Sequence, residues 1–221
     1  SFGNVVNPDE IVLKYGADTL RLYEMFMGPF DQAIAWSGQS LQGCSRFLNR
    51  VWQLFQNNVK AEETPADLSR KLHQTIKKVS QDLEDLKFNT MVASMMEFIN
   101  DWAGSYLSKK DAELFARILS PSAPHIAEEI WCQVLGNQFS VHQQPWPVYD
   151  PQLIVEKTST IIIQVTGRVR GQIRIENDKA IIQVVVEALA KKEPRVAKYL
   201  EGKEIKKTVF VPGKLINLVL E

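Results

Sequence analysis

Cysteine is scarce in this 221-residue chain, with two residues, Cys44 and Cys132. They fall in separate predicted helices. No disulfide framework or Cys-based metal cluster can be built from them, and they read as free buried thiols of a reducing compartment. Histidine is equally sparse: His73, His125 and His142 lie in different predicted elements. No Ser–His–acid, Cys–His or two-histidine metal set is supported by that spacing. The glycines include no phosphate-cradling loop, because Gly167-x-x-x-Gly171 lacks the Lys-Ser/Thr that such a loop requires. Apolar runs fall far short of the ~20 residues of a membrane span. A net field is lacking too, since 26 basic residues balance 26 acidic ones.

The balance is uneven along the chain. Residues 156–221 hold 13 Lys and Arg against 8 Asp and Glu, leaving 13 against 18 for residues 1–155. An acidic body therefore precedes a basic tail, which points the tail towards an anionic partner.

The body carries helical periodicity. Asn7-Pro8-Asp9-Glu10 has an N-cap, a proline at the first helical position and acids in the first turn, and Gly16 can close that helix. A second helix follows to Met27. Ser37 can cap a long helix to about Lys60, with Leu41, Cys44, Phe47, Leu48, Val51, Leu54 and Phe55 at helical spacing. Arg46 and Arg50 lie four apart beside that stripe, suited either to phosphate contact or to a solvated face. The next helix spans about 68–86, its stripe ending at Leu86. Asn89 can cap another to Lys109, carrying Met91, Met95, Phe98, Ile99, Trp102 and Tyr106. Such a stripe reads as bundle core. A short helix over 111–119 follows, and a last helix opens at His125 and ends at Gly136. His125 with Glu128 and Glu129 resembles half of a metal motif. Without a second histidine, the glutamates read as first-turn acids favouring the helix dipole.

The tail changes period at about Thr158. Residues 159–166 alternate, Gly167 to Gly171 reads as a turn, and 172–176 as the return strand. Helices over 179–191 and 193–200 follow, then strands over 204–211 and 215–220 about Pro212-Gly213-Lys214. The expected order is β-β-α-α-β-β, a small α+β module with one sheet and its helices on one face. Arg168 and Arg170, one residue apart between glycines, point to phosphate contact, with Arg174 on the same parity.

Several motifs in the same order resemble one family, the class I aminoacyl-tRNA synthetases of the leucine, isoleucine, valine and methionine group. They are Ser1-Phe2-Gly3-Asn4, Asn7-Pro8-Asp9-Glu10, Tyr15-Gly16-Ala17-Asp18, Trp36-Ser37, Arg46 to Trp52, Phe88-Asn89-Thr90 with Met95-Met96-Glu97, and Pro124-His125 to Trp131. Thr166 to Gly171, Tyr199 to Lys207 and Val211 to Asn217 are similar to the C-terminal domain of the bacterial leucine enzymes. There the position of Thr166 is more often Asn. The resemblance makes Ser1 the last residue of a Lys-Met-Ser-Lys-Ser loop whose lysines are missing, and the chain the C-terminal part of a longer enzyme. It implies a multidomain α and α+β fold. Residues 1–36 would be the catalytic-domain exit with connecting helices, 37–145 a mostly helical anticodon-binding-type bundle, 146–157 a linker and 158–221 an α+β tRNA-binding domain.

The implied activity is attachment of leucine to its tRNA through leucyl-adenylate, in a cytoplasmic, monomeric enzyme using ATP and Mg²⁺. This chain, lacking catalytic and editing domains, is expected to be inactive alone, with no cofactor or metal of its own and no membrane partner. Its partners would be leucine tRNA and those missing domains. Expected tRNA contacts are Arg168, Arg170, Arg174, Lys206, Lys207, Lys214, Arg46 and Arg50. A free-standing RNA-binding module and a helical protein-interaction scaffold stay open as alternatives.

Overall fold

A computed structural model describes residues 5–29, 31–155 and 158–221; Ser1 lies outside them. The chain forms two compact units, residues 1–154 and 155–221.

The first unit is helical. α1 (Pro8–Tyr15) and α2 (Ala17–Phe26) lead into α3 (Gly38–Asn57), β1 (Val59–Lys60), α4 (Ala66–Glu84), α5 (Phe88–Ala103), β2 (Leu107–Ser108), α6 (Lys109–Leu119) and α7 (Pro124–Glu129). Asn7 and Ser37 cap α1 and α3 through their side chains, as expected. The apolar stripes of α3, α4 and α5 converge on one core, joined by Phe115 of α6. Phe55 meets Trp102 edge-on at 5.0 Å, and Phe115 lies 5.2 Å from Phe98 and 5.7 Å from Trp102. Truncating one of these rings would cost about 3–5 kcal/mol.

Helix ends depart from the periodic reading where a side chain captures the backbone. α5 stops at Ala103 instead of Lys109. The Trp102 indole donates to the Asn58 carbonyl at 3.2 Å, and the Asn58 amide donates to the Ser105 carbonyl at 2.7 Å. The chain then turns into β2, which pairs in parallel with β1. α4 stops at Glu84. Leu86, expected in the buried stripe, is 55 % exposed at φ 57°, while the Lys87 N–H donates to the Asp82 carbonyl at 2.7 Å. That left-handed closure satisfies an orphan carbonyl. α5 then begins at Phe88, so Asn89 lies within it and caps nothing. After α7 the helix widens into a π turn over Ile130–Val134, with the Leu135 N–H reaching the Ile130 carbonyl at 2.9 Å.

Residues 145–154, for the most part read as a linker, lie against the bundle. The Trp146 indole donates to Ser80 Oγ (2.8 Å), the Asp150 N–H to His73 Nδ1 (3.0 Å) and the Gln74 amide to the Ile154 carbonyl (3.2 Å). Arg117 donates to the Pro145 carbonyl at 3.2 Å. Three of the four partners lie on α4, His73 and Gln74 side by side and Ser80 about two turns further on.

The second unit is a four-stranded sheet with helices on one face. It comprises β3 (Thr158–Val165), β4 (Arg168–Glu176), α8 (Asn177–Ala180), α9 (Gln183–Lys192), α10 (Pro194–Leu200), β5 (Ile205–Val211) and β6 (Leu215–Leu220). The order is β4-β3-β6-β5, parallel at the centre and antiparallel at both flanks. Ile161, Ile163, Val165, Ile175, Ile216 and Leu218 meet Ala180, Val186, Ala190 and Val196 of the helices. The helix expected over 179–191 is two pieces, because Ile182 is extended and the Ala180 carbonyl accepts from the Gly213 N–H at 3.1 Å. The module therefore holds three helices rather than two.

Candidate nucleic-acid interface

The hairpin between β3 and β4 turns on two residues, Thr166 (φ 48°) and Gly167 (φ 78°). Positive φ at both central positions is the turn whose twist suits a tight hairpin. The loop is thus shorter than the Gly167–Gly171 turn expected, and Arg168 already belongs to β4. Asn217 of β6 fixes the tip, its Oδ1 accepting from the Gly167 N–H at 3.0 Å, while the Thr166 N–H donates to the Leu218 carbonyl at 2.9 Å.

Alternation along β4 is broken. Ile163 pairs with Gly171 but Gln164 with Val169, so Arg170 is an extra, bulged residue. Arg168, paired with Val165, therefore takes the opposite face from Arg174, paired with Thr160. The common face expected from residue parity does not form. Arg170 is aimed at α10: its guanidinium lies 4.1 Å from the Tyr199 ring centroid, and its Nη1 donates to the Tyr199 hydroxyl at 3.1 Å. Gly171 allows this approach, since a Cβ there would come within 3.1 Å of Val196 and 3.2 Å of Glu193.

Register sorts the other expected cations. Lys207 pairs with Val219, at the end of the sheet where the hairpin tip sits, and Lys206 is the extra residue of a second bulge beside it. Lys206 lies 3.7 Å from Glu221. Arg168 and Lys207, on opposite edge strands, are separated by three strand spacings, about 14 Å. Arg168, Arg170, Lys206 and Lys207 thus share one end of the sheet. Arg174 and Lys214 mark the other: Arg174 Nε donates to Thr158 Oγ1 at 2.8 Å, and the Lys214 carbonyl accepts from the Ile162 N–H at 2.9 Å. Arg46 and Arg50 are exposed on α3 of the first unit, Arg50 donating to Asn100 Oδ1 at 2.5 Å. Sequence reasoning assigned no role to Tyr199 or Asn217, although both stand in motifs it singled out. It also passed over Arg195, exposed on α10.

Among the described residues of the first unit, no other chemistry assembles. His125 Nδ1 lies 2.7 Å from Asp18 Oδ1, a structural contact. Glu128 accepts from the Ser140 hydroxyl at 2.5 Å, the Val141 N–H at 3.1 Å and the Cys132 thiol at 3.2 Å. Its work is to hold that turn, not to favour a helix dipole as expected. Burial pushes the Cys44 thiol up to about 11, and burial with the Glu128 carboxylate raises that of Cys132, so neither is an activated nucleophile. Among the described residues no three His, Cys, Asp or Glu side chains are placed to hold a metal ion, and no helix is long and apolar enough to cross a membrane.

The family described as the anticodon-binding domain of tRNA ligase matches residues 66–186, more than half of the sequence. The chain belongs to this anticodon-binding family of tRNA ligases. Its match ends within α9, so it covers the strap and the arginine hairpin but stops before Tyr199 and Asn217. A leucine–tRNA ligase of Alkaliphilus oremlandii (strain OhILAs) is 43 % identical over 222 residues, covering 100 % of this chain and 27 % of that protein. A crystal structure of a LeuRS–tRNA–LeuAMS ternary complex from Agrobacterium radiobacter K84 superposes with a TM-score of 0.75 at 27 % identity, covering 99 % of this chain and 31 % of that one. The chain therefore spans about a quarter of the curated relative's length, and as a homologue of leucine–tRNA ligases it corresponds to a C-terminal part of them.

Proposed function

We propose that this chain acts as the tRNA-binding C-terminal part of a leucine–tRNA ligase, the hairpin end of its second unit meeting the phosphates of leucine tRNA. The observation carrying this reading is the placement of Arg168, Arg170, Lys206 and Lys207 at one end of the sheet, in a chain alike to leucine–tRNA ligases through both units. Arginine suits forked contact to phosphate oxygens, and such contacts position a nucleic acid without reading its sequence. Arg174 and Lys214 would extend the contact along the sheet, and Arg46 and Arg50 would add a second one from the bundle.

On this reading the residues divide as an end of the catalytic domain with connecting helices over 1–36, a bundle over 37–145, a linker over 146–157 and a tRNA-binding module over 158–221. Leucylation then belongs to a longer cytoplasmic, monomeric enzyme with catalytic and editing domains, and this chain alone is inactive. ATP and Mg²⁺ serve that enzyme's adenylate step.

Titrating leucine tRNA into the 221-residue chain tests the reading. Affinity is expected to fall steeply with salt, and Arg168→Ala with Arg170→Ala to lower the slope of log K against log salt by about two. A wild-type chain with no salt-dependent tRNA affinity would overturn it.

A further inference from the structure

We infer that Tyr199 is a positioning residue for RNA, holding the Arg170 guanidinium beside the β4 bulge for contact with a single phosphodiester. This rests on the RNA-binding reading of the same surface.

Arg170 has no place in the strand alternation, because it is the residue left over where Ile163 pairs with Gly171 and Gln164 with Val169. A bulged side chain is not aimed by the pleat and needs another support. Tyr199 provides it twice, through its ring face and through its hydroxyl. The support is itself held in place. Val196, one turn earlier on α10, is buried in the core and sits where a Cβ on Gly171 would collide. The height of the Tyr199 ring over the bulge is therefore set by close packing of helix on strand.

The hydrogen-bonding inventory indicates what is being positioned. Tyr199 engages Nη1. A guanidinium carries five N–H donors, so the bond to Tyr199 leaves others for an oxyanion. Arg170 Nε is shielded from solvent and has no hydrogen-bond partner. A buried, unpaired donor is a cost carried at this bulge, and a phosphate oxygen would reach it only if the side chains covering it moved. Beside it opens a depression of about 450 Å³, lined by Val169, Arg170, Gly171, Gln172, Glu193 and Arg195. Two guanidinium groups face one carboxylate there. That balance admits a phosphodiester, while the Glu193 carboxylate opposes denser anionic groups.

Tyrosine brings no charge, so its removal has a signature distinct from loss of an ionic contact. Binding of a leucine tRNA transcript to the full chain would be measured across a salt series for wild type, R170A, Y199F, Y199A and the R170A/Y199A pair, with circular dichroism confirming that each is folded. Y199A is expected to weaken binding roughly two- to fivefold, the scale of an exposed cation–ring contact, with an unchanged salt slope. Y199F, which keeps the ring, should lie between it and wild type. R170A should lower the slope by about one. In the R170A background, Y199A should have no further effect. An equal loss from Y199A with and without Arg170 would make the tyrosine merely structural and overturn the inference, as would R170A binding like wild type. A wild-type chain that fails to bind tRNA would instead remove the underlying RNA reading.

Discussion

Asp18 caps a helix that begins more than a hundred residues after it. Its Oδ1 lies 2.7 Å from His125 Nδ1 and 3.3 Å from the His125 N–H, and its Oδ2 accepts from the Ile126 N–H at 2.7 Å. Arg21 adds a bond to the Pro121 carbonyl at 3.0 Å. With Leu22 and Tyr23 fully buried, α2 is an integral part of the bundle, whereas α1 buries no residue. Asp18→Ala removes the cap and leaves first-turn N–H groups unpaired. A loss of about 1–2 kcal/mol is expected in urea unfolding, with Asp18→Asn losing less because its amide oxygen still accepts.

His73 should make docking of the strap pH-dependent. Its Nδ1 accepts the Asp150 N–H, which requires the ring neutral at that nitrogen. Burial lowers its pKa from the ordinary 6.5, against the raising influence of Asp111 and Asp150 and with a lowering one from Lys110. The folded form thus binds its proton less readily than the unfolded form. The stabilising contact is complete above pH 6.5 and is lost as pH falls below it towards the folded value. Hydrogen exchange at the Asp150 amide should accelerate, relative to the ordinary pH trend of exposed amides, between pH 7.5 and 5. In His73→Gln, whose amide oxygen can accept at any pH, that extra acceleration should disappear.

Glu128 titrates with the same sign for a different reason. Burial alone would raise its pKa, but bonds from Ser140, Cys132 and the Val141 N–H, with the charge of His142, bring it below the ordinary 4.5. Its contribution is present above pH 4.5 and disappears as pH falls through the folded value. Glu128→Gln should destabilise the bundle by about 1–3 kcal/mol at pH 7. In denaturation at pH 3 the gap between the two proteins should close, and a gap independent of pH would show that the carboxylate charge is not what matters.

These contacts mark where sequence reasoning stops. The stripes of α3, α4 and α5 are legible because helical period is a local property, and Leu41, Ile76 and Met95 repeat it plainly. The sheet alternation of Ile161, Ile163 and Val165 is legible for the same reason. Leu86 fits the same spacing yet lies outside the core, because the backbone turns left-handed one step earlier than periodicity implies. The pairing of Glu128 with Ser140, and the strap on His73, depend on loops whose course no local pattern fixes. Arg170 is the clearest case. Its parity with Arg168 holds only without a bulge, and the bulge is defined by the register of the partner strand. Motif resemblance had singled out the segments containing Tyr199 and Asn217, but only tertiary contact shows that both converge on the hairpin.

Thr166 carries a conformational cost that one substitution should remove. It sits at φ 48°, where a β-branched residue is strained by roughly 1–2 kcal/mol and asparagine is tolerated. What threonine offers in return is one long contact, its Oγ1 accepting from the Leu220 N–H at 3.4 Å. The tip is held chiefly by backbone, through the Leu218 carbonyl and Asn217, and those bonds do not depend on the side chain at 166. Thr166→Asn should therefore stabilise the second unit by about 0.5–1 kcal/mol, seen as a higher midpoint for the thermal transition of residues 155–221. Arg168 keeps its place in the register, so tRNA affinity and salt slope should match wild type. A lowered midpoint would mean that the Leu220 contact outweighs the relief of strain.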